Sequence, residues 1–520
     1  MRVLTSIASI LALLSFPVAS GKRALLIPTM WASHILEMSQ LGRELVHRGH
    51  EVHMLMSETV KKMPNSLTNS GIKFLRYSVD YDADPFTDEL LFNLTLRNWK
   101  SGGGVAQEME VDRIMGQREC RSLLKNEDVF NRIVSMRFDI AVVDGFGPSL
   151  CRYIIPYQAG IPYGSLTAVI WPYMSTLATL PSVTVGLYSS STDRMGFSER
   201  ISNLISHYKF WSLSESNYNL EEFMGSFVPD KPYNSLTDLA RQSQFWIIET
   251  EGLMDYNRIS LPHIHYVGGL TTDPPKALRG EILEICDKAI GGIILVSFGS
   301  RVTHLPYHYI LRFMEGLNKV NKKYTVVFKY GGSTKDIAIS ENIHIVNWMP
   351  QNDILGHSNT RLFVTHCGNN GRYEALYHGI PMLAFPFDAD QPVNALGLGR
   401  KGYGRNMDMK TFKSDELAEN IHEIIENPRY KNAIQKASDI FRDLPNPREK
   451  AASVVEQVMK HGADHWYMPA SELHLYEIIM LDITLTLVFL VFCCIIVLKC
   501  CIIMLCIRYN SNKNNKEKRN

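Results

Sequence analysis

His366, Glu374, Asp390 and Gln391 fall within one short stretch of this chain, R-L-F-V-T-H-C-G-N-N-G-R-Y-E-A-L-Y-H-G-I-P-M-L-A-F-P-F-D-A-D-Q-P-V-N over 361–394. Their types suit a polyhydroxylated anion. An apolar run (Leu362, Phe363, Val364) leads into a turn of small and polar residues, His366-Cys367-Gly368-Asn369-Asn370-Gly371, and a helix follows. Such a turn aims unbonded N–H groups, the positive end of the helix dipole and one imidazole at a single point. A diphosphate is the natural guest. The carboxylate and amide groups of Glu374, Asp390 and Gln391 suit hydroxyl groups on either side of it, a ribose on one and a hexose on the other.

A second group able to do chemistry lies near the start. Pro28-Thr29-Met30-Trp31-Ala32-Ser33-His34 follows an apolar run that reads as a strand, and ligands of doubly wound sheets sit beyond strand ends. Histidine titrates near neutrality, so His34 is suited to take a proton from a hydroxyl whose oxygen attacks carbon. The D-x-D spellings Asp80-Tyr81-Asp82 and Asp82-Ala83-Asp84 read as polar loop, and Asp388-Ala389-Asp390 as part of the hydroxyl-binding stretch. None of them reads as a metal site, and no Cys/His spacing implies zinc.

These groups are positioned by alternating strands and helices. Strands are expected at 24–28, 52–56, 74–77, 140–143, 163–166 and 245–249, then at 293–298, 325–330, 343–348, 362–366 and 382–385. Helical stretches such as 37–48 separate most of them. Continuous β-branched apolar runs suit parallel strands buried on both faces. Two blocks of strand–helix repeats imply two doubly wound α/β domains, with a break near His265-Tyr266-Val267-Gly268-Gly269-Leu270 and Pro274-Pro275. The expected map is 1–20 signal peptide, 21–265 first domain, 266–446 second domain, 447–481 closing helix and neck, 482–507 membrane helix and 508–520 tail. Pro447 suits a first helical position.

With Trp348-Met349-Pro350-Gln351-Asn352-Asp353 upstream, the 361–394 stretch resembles the signature of UDP-glycosyltransferases, in particular the membrane-bound UDP-glucuronosyltransferases of animals. The resemblance extends over nearly the whole chain. It implies the GT-B fold, two Rossmann-like domains facing a cleft, with the acceptor on the first and the UDP-sugar on the second. It implies that Trp348 stacks on uracil and Gln351 bonds the base edge. His366 and the N–H groups of Gly368, Asn370 and Gly371 would hold the diphosphate, with Ser300 adding a donor. Glu374 would accept from ribose, and Asp390 with Gln391 from the hexose. Asp144 matches the family's carboxylate partner for the base His34. Together they imply direct displacement with inversion, with neither metal nor cofactor beyond the UDP-sugar co-substrate.

Glucuronate is the sugar that this branch implies. Glu249, however, stands where the vertebrate glucuronosyl branches carry an Arg, and Arg258 is the remaining match for a contact to the sugar carboxylate. UDP-glucose stays open as the donor. Cys367 stands where the animal branch usually has Gly; it is small enough for the turn, and no loss is expected there. A silent nucleotide-sugar-binding subunit would be expected to have lost its base or donor motif, and both are retained.

The two ends add a membrane. The apolar start and Pro17-Val18-Ala19-Ser20 read as a secretory signal peptide. The apolar stretch 482–507, with Lys499 snorkelling, is roughly 25 residues and long enough to cross a bilayer. Arg508, Lys513, Lys516, Lys518 and Arg519 place the tail in the cytosol and the bulk in the lumen. The last residues, Lys516-Glu517-Lys518-Arg519-Asn520, resemble a retrieval signal for the endoplasmic reticulum. Asn93 heads a glycosylation sequon. Cys120, Cys151, Cys286 and Cys367 are expected as buried thiols, with a Cys120–Cys151 bridge left open. Lys+Arg 54 against Asp+Glu 53 over 520 residues makes no case for nucleic acid. The apolar segment 161–187, with Ile170, Trp171, Tyr173, Met174 and Leu177, lines the acceptor pocket, touches the membrane or is ordinary core. A lipophilic alcohol, phenol, sterol or xenobiotic is the expected acceptor. Homo- or hetero-oligomerisation is compatible with the family.

Overall fold

Two parallel sheets carry the candidate residues; His34, Asp144, Ser300, His366 and Gly368 end or follow strands at the points where the strand order reverses, while Trp348 and Gln351 follow the edge strand Ile343–Val346. The computed structural model describes residues 21–60, 63, 65–80, 116–168, 184–186, 192–218, 227, 235–256, 260–300, 302–387, 389–467, 475–478 and 480–517. The expected signal peptide, Asn93, Arg258, residues 169–183 of the apolar segment 161–187 and residues 518–520 lie outside the described residues.

The first sheet holds β1 (Arg23–Ile27), β2 (Glu51–Ser57), β3 (Lys73–Tyr77), β4 (Ile140–Asp144), β5 (Tyr163–Thr167), β6 (Trp246–Ile248) and β7 (Ile264–Tyr266), in the order β3-β2-β1-β4-β5-β6-β7. All its pairings are parallel. Ile27 faces Val143 across the β1–β4 pair, so the chain leaves β1 beside Asp144. The second sheet holds β8 (Ile293–Ser297), β9 (Thr325–Lys329), β10 (Ile343–Val346), β11 (Thr360–Thr365), β12 (Met382–Ala384) and β13 (Gly404–Asn406), in the order β10-β9-β8-β11-β12-β13, again parallel. Order reverses between β1 and β4 in the first sheet and between β8 and β11 in the second. Crevices at such reversals are where doubly wound sheets bind ligands.

The expected strands are found with ends shifted by one or two residues. The edge strands β7 and β13 were not expected, because His265-Tyr266 was read as part of the break and Gly404-Arg405-Asn406 carries no apolar run. His265 and Tyr266 therefore belong to the first sheet, and the link starts after them.

Alternation along β1 divides the core. Leu25 and Ile27 pack on one face with Ala141, Val143 and Tyr153; Ala24 and Leu26 pack on the other with Ile35, Met38 and Leu41. The second face is completed from far along the chain. The helix Pro447–His461 starts with Asn446 accepting from Arg448 N–H at 3.0 Å and Pro447 at its first position. Its Ala451, Val455 and Val458 lie against the first sheet. Arg448 grips the link, donating to Leu270 O and Thr272 O at 2.7 Å and to Asp273 Oδ1 at 2.8 Å. Glu456 pairs with Arg48 at 2.8 Å and His50 at 2.9 Å.

Cys120 and Cys151 are joined in a disulfide with Cα atoms 6.0 Å apart, correcting the expectation of thiols there; Cys286 and Cys367 are buried thiols. The two half-cystines meet because their segments pack into the same apolar cluster, which their separation in sequence does not reveal. The helix Leu481–Glu517 contains a span, Leu481–Arg508, long and apolar enough to cross a membrane.

Candidate active site

His34 sits in the first turn of the helix Ala32–His47, which begins ahead of the expected start at residue 37. Its Nδ1 is 2.8 Å from Asp144 Oδ2. Asp144 ends β4, is buried, and accepts two further N–H groups, from Thr29 to Oδ2 and from Phe146 to Oδ1, both at 3.1 Å. Held in this way, the carboxylate favours the tautomer with Nδ1–H and leaves Nε2 with a lone pair. Burial works against the charged imidazole, but the Asp144 charge and hydrogen bond outweigh it, with Asp390 and Glu249 adding, so its pKa is raised from 6.5. Burial likewise opposes the Asp144 charge, yet His34 and the Thr29 N–H hold the carboxyl below its ordinary value. The Asp390 charge acts on His34, so the stretch around Asp390 lies within electrostatic reach of this imidazole.

The second reversal builds a tight cradle. Gly299 follows β8 with φ +81°, and a Cβ there would lie 2.6 Å from His366 Cε1. A Cβ at Gly368 would lie 2.5 Å from His366 Nε2. The His366 ring thus fills the space two side chains would need. Gly368 precedes the helix Asn369–Tyr377, whose first N–H groups receive no side-chain cap from it. Cys367 (φ +67°) and Ala389 (φ +53°) adopt the left-handed conformation without being glycine, at a cost of about 1–2 kcal/mol each. Both immediately precede turns that carry candidate donor contacts.

The remaining candidates are placed as follows. Ser300 lies exposed just beyond Gly299. Trp348 is 73% exposed, with its ring available for stacking. Gln351 Nε2 donates to Glu374 Oε2 at 2.5 Å, joining the expected base and ribose contacts, and Gly371 lies beside Gln351. Burial pushes the Glu374 carboxyl up to about 7 in spite of that bond. Asn370 Oδ1 accepts from Thr271 of the link at 3.0 Å. Asp390 Oδ2 accepts from Asn394 Nδ2 at 2.6 Å, and Gln391 Oε1 from Phe387 N–H at 2.9 Å. Asn394 also donates to Cys367 O at 3.0 Å, tying the two strained turns together.

Some neighbours were not anticipated. Lys329 Nζ donates to Gly299 O at 3.0 Å; its signal was a lysine closing an apolar strand. Arg372 is buried and donates to Asn369 Oδ1 at 2.7 Å and Asp255 Oδ1 at 2.8 Å, while Tyr373 OH donates to Asp255 Oδ2 at 2.9 Å. Glu37 and Glu249 lie buried near His34. Among the described residues no group of three or more His, Cys, Asp or Glu has the arrangement of a metal site.

Gly299→Ala is expected to weaken UDP binding about tenfold or more. The left-handed conformation alone costs a side chain about 1–2 kcal/mol, and the His366 ring must also move. Titration of the full chain with UDP checks this; unchanged affinity would show that the ring's seat does not matter to the nucleotide.

A family model described as "UDP-glucoronosyl and UDP-glucosyl transferase" matches residues 23–517. UDP-glucuronosyltransferase 1A9 of Mus musculus is 30% identical over 502 residues, covering 93% of each chain. UDP-glucuronosyltransferase 2B15 of Homo sapiens is 29% identical, covering 97% of each. The 2-hydroxyacylsphingosine 1-beta-galactosyltransferase of Rattus norvegicus is 28% identical, covering 90% of this chain and 85% of that one. Among solved structures, the glycotransferase of kitacinnamycin superposes with TM-score 0.59 at 18% identity over 85% of this chain and 100% of that one. CalG4, the calicheamicin glycosyltransferase, gives 0.58 at 15% identity over 85% and 98%. The fold is that of the GT-B glycosyltransferases, and with a family match running from the first strand to the end of the last helix, the chain belongs to the UDP-glucuronosyl and UDP-glucosyl transferases.

Proposed function

We propose that this UDP-glycosyltransferase moves a hexose from its UDP-sugar to a hydroxyl of a small lipophilic acceptor in one inverting displacement. The observation that carries this reading is the 2.8 Å pairing of His34 with Asp144 at one reversal point, with Asp390 of the donor stretch within reach. The acceptor proton passes to His34 Nε2 while the acceptor oxygen forms its bond to the anomeric carbon. The bond from that carbon to the UDP oxygen breaks. The imidazolium is stabilised by Asp144, and the departing diphosphate by His366 and the free N–H groups at the start of the helix Asn369–Tyr377. Trp348 and Gln351 serve the uracil, Glu374 the ribose, and Asp390 with Gln391 the hexose hydroxyls. In this reading no step calls on a metal ion.

The names of most relatives quoted above support glucuronate as the sugar. One observation favours a neutral hexose instead. Glu249, Asp144 and Asp390 all act on His34, so a carboxylate on the sugar would meet like charge. The galactosyltransferase relative carries a neutral hexose in its name. We expect microsomes expressing the full chain to transfer from UDP-glucose faster than from UDP-glucuronate onto a phenol and sterol panel, and to lose transfer in His34→Ala. Faster transfer of glucuronate would count against the acid-cluster argument and make Arg258 the next residue to change.

The topology reading follows the ends of the chain: single-pass, with both domains in the lumen of the endoplasmic reticulum and the basic tail in the cytosol. The Cys120–Cys151 bridge supports an oxidising compartment for the first domain. An apolar acceptor dissolved in the bilayer would then be close at hand.

A further inference from the structure

Two buried carboxyl groups near His34 take no part in the displacement. Glu37 lies on the same helix as the base, one turn further on, and is 2% exposed; Glu249 follows β6 and is 0% exposed. Each keeps one oxygen, Oε2, with no donor, and the two side chains face each other within hydrogen-bonding range. Two ionised carboxylates so placed repel each other in a medium that screens poorly. One proton between them satisfies both.

Glu249 also reaches outward. Its Oε1 accepts from Leu270 N–H in the link at 3.0 Å, and its main-chain oxygen accepts from Asn369 Nδ2 at 3.3 Å, at the start of the donor helix. The other titratable and charged groups bearing on the pair are His34 on the first helix, Asp144 at the end of β4, Asp390 at the start of the helix Gln391–Lys401, and Arg372 with Tyr373 on the donor helix. Burial pushes both carboxyls upward. For Glu37 the charges of Glu249, Asp144 and Asp390 add to it; for Glu249 the bonds from Glu37 and Leu270 and the charges of Arg372 and His34 oppose it.

We propose that Glu37 and Glu249 share one proton and act as positioning residues, the protonated pair fastening the helix that carries His34 to the link and to the donor turn. Losing that proton leaves two negative charges in a buried space, the side chains part, and base and donor turn lose a common anchor. The effect on rate rests on the glycosyl-transfer reading; the shared proton does not.

The test compares the parent with Glu37→Gln and Glu249→Gln as full chains in detergent, by transfer from UDP-glucose against pH and by thermal unfolding against pH. A glutamine amide donates permanently where the proton donated. Each variant is therefore expected to retain transfer at neutral pH and to move the alkaline fall in kcat/KM upward by about one pH unit or more. In the parent the folded pair holds a proton that unfolded carboxyls release above about 4.5. Stability is therefore present below that value and is lost as pH rises through the raised folded values. A Tm gap in favour of the variants should widen by about 2–4 °C or more between about pH 5 and about pH 8. A gap that stays constant with pH overturns the shared proton, and alkaline limbs that superimpose overturn the positioning role. If Glu37→Gln does not fold, Glu249→Gln carries both readouts. Absence of transfer in the parent would strike the functional reading alone, because the thermal comparison still decides the pair.

Discussion

Replacing His34 by alanine is expected to lower transfer about 10²–10⁴-fold while UDP still binds, since a positioned general base contributes about that much. His34 lies on a helix of the first sheet and the expected diphosphate contacts on the second, so donor affinity and catalysis should separate. Asp144→Asn should be nearly as damaging, because an amide facing Nδ1 no longer selects the tautomer with a free Nε2 lone pair. The pH dependence has a definite sign. The base works only when neutral, so activity falls as pH drops through the pKa of His34, which burial opposes and Asp144 raises above 6.5. Without the Asp144 charge the residual activity should persist to lower pH. The measurement is kcat/KM against pH for parent and Asp144→Asn, with UDP titration of His34→Ala alongside. An acid limb that stays in place in Asp144→Asn would mean another group titrates there.

The largest expected effect on stability comes from Arg152→Met. Arg152 and Glu119 are each 1% exposed on their side chains and form an ion pair, and Arg152 also donates to Pro28 O at 2.6 Å. Tyr77 OH donates to the other Glu119 oxygen at 2.6 Å. Removing the guanidinium strands a carboxylate in the core and costs about 3–5 kcal/mol. The double variant Arg152→Met with Glu119→Gln removes the stranded charge and should recover part of that loss. Thermal unfolding of the three proteins decides it; a single variant that melts like the parent would show that the pair contributes nothing. The same network borders the His34 loop through Pro28 and the disulfide through Glu119 and Arg152, neighbours of Cys120 and Cys151 in sequence. A folded Arg152→Met should therefore also transfer more slowly.

Strands such as β1, β4, β8 and β11 were legible because their apolar runs are buried on both faces and punctuated by turn residues. β7 and β13 were not, being edge strands without an apolar run whose pairing is decided by their neighbours. In the candidate site, residues that sit in one local motif could be read directly: His366, Gly368, Glu374, Asp390 and Gln391 lie on consecutive elements around one reversal. Residues that act across distance could not. Arg372 meets Asp255, Glu37 meets Glu249 and Cys120 meets Cys151 only once the sheets have formed, and no local spacing announces such partners. Cys367 shows the intermediate case. Its departure from glycine was legible and was expected to cost nothing, whereas the positive φ and the bond from Asn394 that braces the turn are tertiary facts.

The chain crosses between the two sheets twice, outward through the link after Tyr266 and back ahead of Pro447, and Arg448 holds the second crossing against carbonyls of the first. A single strand between two bodies is a swivel, about which one can spin freely on the other. Two strands pinned side by side behave like a strap hinge, which bends across its width and resists torsion. Any rotation of one sheet against the other is then confined to bending at that strap, which keeps His34 and the turn at Gly368 at one relative azimuth. Cutting the strap at Arg448 should leave both sheets folded and make the enzyme slow for want of alignment.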